Sequence, residues 1–184
     1  VWPAVRRCAT QSRHAALEQM VGPVSSRESY LGYLRGIAAF RIPVEQRLAA
    51  LPAWPDRLGS WRPTFLAQWL RLDLTALQLD VPLGVSALDL SSDSRIMGVV
   101  YVLEGSILGA RPVIRQAALL GFDDSSGARH LSVQTSALAG WKQFLTCLDE
   151  EPALEREAAA SAACEAFDEA VTAMTAAFPD RNPA

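Results

Sequence analysis

The chain has 184 residues, 50% apolar and 20% charged; at that length a single domain buries about two-thirds of its unfolded surface. A net charge of −3 supplies no basic stripe to displace the counterions of nucleic acid, so nucleic acid is not expected as a partner. No run of about 18 apolar residues is free of charge, so no membrane span is expected.

The opening segment, Val1–Arg7, has neither a signal-peptide nor a transit-peptide pattern. From Pro3 to about Met20, apolar residues at Val5, Cys8, Ala9, Ala16, Leu17 and Met20 keep a helical period, and Gly22-Pro23 stops it. Ser25 or Ser26 is placed to cap a second helix, with Glu28 in the first turn where a negative charge suits the dipole. That helix carries Tyr30, Tyr33, Leu34, Ile37 and Phe40, and Pro43 is expected to kink or divide it before Val44, Leu48 and Leu51. Residues 52–63 are a Pro- and Trp-rich loop, whose Trp54 and Trp61 are expected to plug it against the core. A third helix spans about Thr64 to Leu79, followed by a connector, Asp80–Ser92, rich in Ser, Asp, Pro and Gly.

The stretch Ser94–Leu119 is long, apolar and closed by Gly121. Two glycines interrupt it, Gly105 and Gly109, each costing about 0.5–1 kcal/mol relative to Ala inside a helix. Four residues apart, they share a face and offer bare backbone there, either to a neighbouring helix or to a flat ligand. Pro112 should sharpen the bend. Asp123–Arg129 reads as a polar turn, about Leu131–Cys147 as a helix, and Pro152 onward as an Ala-rich last helix through Phe167, Met174 and Phe178. Asp149, Glu150 and Glu151 then read as N-terminal charge for that last helix. No alternating strand run and no second core are present, so the expectation is an all-α single domain over residues 1–184 with about six helices.

The chain offers few groups for chemistry. Cys8, Cys147 and Cys164 lack metal-like spacing and read as reduced thiols of a cytoplasmic protein. His130 follows the polar turn and reads as a surface residue. His14 is a possible ligand for a transition metal or haem iron, and Glu18 lies one turn on, where a carboxylate can orient such a histidine.

Several blocks, in order, resemble the haem oxygenases that make biliverdin, particularly bacterial forms linked to phytochromes and iron acquisition. ATQSRHAALE (Ala9–Glu18) is similar to the family's A-T-x-x-x-H-x-x-x-E around the proximal histidine. YVLEGSILGA (Tyr101–Ala110) resembles the bacterial distal signature. YLGYLRGIAAFRIPVEQRL (Tyr30–Leu48) resembles the tyrosine-rich segment ending in P-x-E, and WKQFLTCLDEEPAL (Trp141–Leu154) with Phe167 also fits. The resemblance implies an all-α fold that holds haem, as substrate and cofactor together, between a proximal and a kinked distal helix. His14 would be the axial ligand, with Glu18 supporting its helix. Gly105, Ser106 and Gly109 would form the distal face, Ser106 standing where animal enzymes carry an aspartate. Arg7 and Lys142 would face propionates, and Tyr101 and Phe167 would wall the pocket. Thr146 stands where animal relatives carry an Arg, and Arg111 follows the glycine motif directly.

The reaction so implied is cleavage of haem with dioxygen and reductant to biliverdin, carbon monoxide and ferrous iron. Its partner would be an electron donor, a ferredoxin- or flavodoxin-type reductase or ascorbate, and the product would either feed a phytochrome pathway or merely free iron. Two other readings share the fold: a haem-binding protein that degrades nothing, and a scaffold that has lost haem.

Overall fold

The computed structural model describes residues 22–150 and 155–178. Among the described residues the chain forms seven α-helices, one 3-10 turn (Asp56–Leu58) and no strand. The first helix is α1, Arg27–Ala49. Ser26 starts it with a reciprocal cap: its hydroxyl accepts from Ser29 N at 3.1 Å, and Ser29 Oγ accepts from Ser26 N at 3.0 Å. Of the two outcomes expected of Pro43, a kink or a division, the helix is not divided: Pro43 lies inside it. The lost backbone bond is outweighed by burial of Phe40, Ile42, Val44 and Leu48 on both sides of it.

The next helix, α2, covers Ala67–Ala76 and is shorter at both ends than the sequence suggests. No residue beside it acts as its N-cap. Instead Glu45 of α1 reaches across, and its Oε2 accepts from Leu66 N at 2.7 Å and Ala67 N at 2.6 Å. The long glycine-bearing stretch is two helices, α3 (Asp93–Gly105) and α4 (Ile107–Leu119), meeting at Ser106. The interruption therefore lies at Ser106, whereas Pro112, expected to sharpen it, sits inside α4. The pair is long and apolar enough to cross a membrane by length and composition, yet 67% of that window is buried within the protein, as for a core helix.

The segment expected as one helix over 131–147 is also two, α5 (Arg129–Ser136) and α6 (Leu138–Glu150). Asp149 and Glu150 end α6, so they are not N-terminal charges of the last helix. That helix, α7, covers Arg156–Ala177. Trp61 is buried as expected: it stacks on Phe144 with ring centres 4.8 Å apart and donates to Gly140 O at 3.1 Å. Trp54 is half-buried and donates to Trp61 O at 3.3 Å.

The core sits where α7 packs on α1 and α3. Ala159, Ala162, Ala163, Ala166 and Ala170 form a buried small-residue stripe along α7, and glycines of the partner helices face α7. An added β-carbon on Gly98 would lie 2.1 Å from Ala159 O, and one on Gly36 would meet Met174. Because backbone opposes Gly98, Gly98→Ala should force α3 and α7 apart and cost about 1–3 kcal/mol. At roughly 2–4 °C per kcal/mol for a chain of this size, thermal unfolding followed by circular dichroism should show a clear drop. An unchanged midpoint would mean that the two helices are not packed so closely.

Candidate functional site

An apolar cleft opens beside the α3–α4 junction. Ile37 and Phe40 of α1, Tyr101 and Val102 of α3, Trp141 of α6, and Phe167 and Met174 of α7 line it, together with Gly105, Ser106 and Leu108. Four sequence-derived candidates, Tyr101, Gly105, Ser106 and Phe167, are thus brought to one place. Tyr101 and Phe167 are buried, and the Tyr101 ring lies 5.5 Å from that of Trp141. A β-carbon on Gly105 would touch the Trp141 ring at 3.4 Å, whereas one on Gly109 would meet nothing within 4 Å. Gly109 and Leu108 are exposed one turn into α4. Lys142 is exposed on α6 next to Trp141, and Arg111 and Thr146 are exposed too. Arg7, His14 and Glu18, with Cys8, lie outside the described residues.

Behind the cleft, the helix junction is tied to a buried polar cluster. Arg41 is 1% exposed. Its Nε donates to Glu45 Oε1 at 2.6 Å, one terminal nitrogen donates to Leu103 O and to Ser106 Oγ at 3.1 Å each, and the other to Thr64 O at 3.1 Å. Ser106 Oγ also accepts from Gln134 Nε2 at 2.7 Å and donates to Leu103 O at 2.6 Å. A hydroxyl has one proton and two lone pairs, and all three are spent inside the protein. Sequence reasoning put Ser106 on the distal face as a polar group. In the structure its hydroxyl turns inward and draws off the Leu103 carbonyl that an unbroken helix would offer to Ile107 N. Glu104, beside it, accepts from Thr64 N at 2.8 Å, and burial holds its carboxyl above the usual range against that bond and the Arg41 charge.

A second cluster joins α2 to α5. His130 is fully buried, contrary to the surface position expected from the polar turn before it. Its Nδ1 lies 2.8 Å from Asp73 Oδ2, and its backbone N–H donates to the same oxygen at 3.0 Å. Arg129 N donates to Asp73 Oδ1 at 3.1 Å, so Asp73 caps α5 from another helix. Burial alone would raise the Asp73 carboxyl, but the hydrogen bonds from His130 and Arg129 and the His130 ring together hold it below the ordinary carboxylate range. Burial lowers the His130 pKa against the pull of Asp73, which keeps the imidazole neutral. Tyr33 stacks over that ring at 6.2 Å, and burial raises its phenol.

Sequence reasoning passed over Arg41, Glu45, Asp73 and Gln134. The available signal was an Arg–Glu pair at i, i+4 within an apolar helical stripe (Phe40, Ile42, Val44) and an Asp between Leu70 and Leu74.

No family model matches the chain. The heme oxygenase PigA of Pseudomonas aeruginosa is 34% identical to it in a 170-residue alignment that covers 86% of this chain and 84% of that protein. Among solved structures, the NO- and CO-bound heme oxygenase from Neisseria meningitidis superposes with a TM-score of 0.68 at 22% identity, over 95% of this chain and 92% of that one. The second likeness is one of fold.

Proposed function

The chain belongs to the haem oxygenase family, and from that premise we infer that its reaction is the oxidative opening of haem to biliverdin, carbon monoxide and ferrous iron. The observation that carries this reading is the apolar cleft set against an interrupted helix at Gly105–Ser106. Its lining suits a flat apolar ligand: aromatic and aliphatic side chains surround it, and Gly105 brings backbone, without side-chain bulk, beside Trp141. Bound haem supplies the iron that activates dioxygen and is itself the bond framework that opens.

Within one domain spanning 1–184, we assign His14 as the axial iron ligand and Glu18 as its helix's support. Arg7 and Lys142 are the cations for the propionates, and Tyr101 and Phe167 are the walls. The distal face is the α3–α4 junction, where Gly105 and Gly109 admit the ring. Since the Ser106 hydroxyl is fully engaged inward, its part in this scheme is to hold the junction open, and it donates nothing to a ligand. Trp141 and Met174 complete the dry wall that keeps bulk water from the ring.

The electron donor in this proposal is a ferredoxin- or flavodoxin-type reductase, with ascorbate as its laboratory substitute. Exposed Arg111 and Arg115 on α4 beside the cleft suit an acidic donor. We place the reaction in the cytoplasm: Cys8, Cys147 and Cys164 are odd in number and lack metal-like spacing, which suits reduced thiols. Biliverdin passing to a phytochrome pathway belongs to the same proposal.

The test is optical. One equivalent of hemin should give the Soret band of histidine-ligated haem, and ascorbate in air should convert it to the broad red absorption of biliverdin. His14→Ala should abolish the ligated spectrum. A stable Soret band would reduce the protein to a haem binder. An unshifted hemin spectrum would remove haem from its function, and a normal spectrum in His14→Ala would remove the axial assignment.

A further inference from the structure

Two buried side-chain atoms on α5 have no hydrogen-bond partner among the described residues, His130 Nε2 and Gln134 Oε1. Their side chains are sealed, His130 being 0% and Gln134 4% exposed. They stand at i and i+4, on one face of the helix, with β-carbons about 5–6 Å apart. Each atom's chemistry is fixed from its far side. The ionised Asp73 faces Nδ1 at 2.8 Å, so Nδ1 carries the proton and Nε2 keeps a lone pair. The Gln134 amide nitrogen donates to Ser106 Oγ at 2.7 Å, which leaves Oε1 as the group turned away from Ser106. Two acceptors cannot bond to each other, and a buried acceptor is seldom left without a donor.

We propose that His130 Nε2 and Gln134 Oε1 share one ordered water, which donates a hydrogen to each, and that Asp73, His130 and this water are positioning groups for the α3–α4 junction. Water is the smallest ligand that brings two donors to two neutral acceptors. A metal ion does not fit, because no group of three His, Cys, Asp or Glu ligands gathers among the described residues.

The consequence runs through the Gln134 amide. Held in its present sense, the amide donates to Ser106 Oγ, and the Ser106 proton stays on Leu103 O. Turned over, the amide would present its oxygen to Ser106, the hydroxyl would donate there, and Leu103 O would be released to Ile107 N, closing the helix. The water permits the present sense by giving both acceptors a donor; without it, the turned-over sense, which brings the amide nitrogen to His130 Nε2, would be favoured. Its effect on the reaction rests on the haem oxygenase reading; the water site itself does not.

The experiment therefore has a haem-free arm and a haem-loaded arm. In the protein without haem, long-range proton–nitrogen correlation spectra should show His130 as the Nδ1–H tautomer with Nε2 accepting a hydrogen bond. A high-resolution crystal structure should place a water within about 3.2 Å of both atoms. A protonated Nε2, no water at that position, or a Gln134 amide nitrogen directly on Nε2 would each overturn the proposal. In the haem-loaded arm, His130→Phe keeps a ring against Tyr33 but removes the acceptor. It should shift the C–O stretch of the ferrous–CO complex and change the ratio of biliverdin isomers, with hemin affinity within twofold. Should that variant not fold, Gln134→Leu is read for the same two changes. An unmoved stretch and isomer ratio in the folded variant would overturn the positioning role. Failure of the wild-type protein to bind hemin would sink the functional reading and leave the haem-free result standing.

Discussion

Replacing Arg41 with methionine is expected to lower the thermal unfolding midpoint by roughly 10 °C. Arg41 is sealed in the core, at 1% exposure, and it carries a charge. Its removal leaves Glu45 as a buried carboxylate with only Leu66 N and Ala67 N to answer it. Breaking a buried ion pair from one side costs about 3–5 kcal/mol, and each kcal/mol moves the midpoint by about 2–4 °C at this chain length. The double replacement Arg41→Met with Glu45→Leu should recover part of the loss, since a buried pair replaced by apolar groups of similar volume is often neutral. Recovery should be incomplete, because Glu45 also caps α2. Calorimetry of the three variants decides the matter. A single variant as stable as the parent would mean that Arg41 is not the centre of this cluster.

Replacing Gly109 with leucine should do the reverse: leave the fold intact and remove the function. Nothing lies within 4 Å of an added β-carbon there, and the residue is exposed within α4. Helix propensity alone predicts a gain of up to about 1 kcal/mol. On the proposed function, however, the isobutyl group fills the space through which α4 approaches the ring. Biliverdin formation should fall about a hundredfold or more, the scale of loss that follows a misplacement of about 1 Å at a reacting centre. Melting and hemin turnover measured on one preparation test both halves. Normal turnover would take Gly109 out of the distal face. Gly98→Ala makes the informative contrast, since there the fold is expected to suffer.

Which parts of this molecule were legible in its sequence depends on how far away the deciding atoms lie. The inward stripes of α1 and α7, the Ser26 cap and the polar turn before α5 are set by near neighbours, and each could be read directly. The starts of α2 and α5 could not, since Leu66 and Ala128 are not capping residues and the carboxylates that begin those helices belong to Glu45 and Asp73. His130 was misplaced for the same reason: polar neighbours in sequence argue for the surface, but its partner is Asp73, 57 residues away. The glycines mark the break at Ser106, yet the side chains that hold its hydroxyl, Arg41 and Gln134, lie 65 and 28 residues away in the chain. The family pattern in Tyr101–Ala110 and Phe167 points to several residues that line the apolar cleft, while the ties behind it conform to no local pattern.

The two borrowed caps have a consequence for how the protein assembles. Glu45 can begin α2 only after α1 has formed and docked, and Asp73 can begin α5 only after α2 exists. Nucleation of a short helix is unfavourable, and α5 has only 8 residues. The three segments are therefore expected to form in the order α1, α2, α5, and φ-values for Glu45→Gln and Asp73→Asn would show it. Loosening runs back along the same line: once α1 frays at Glu45, the helix that carries His130 and Gln134 loses its footing without being touched itself.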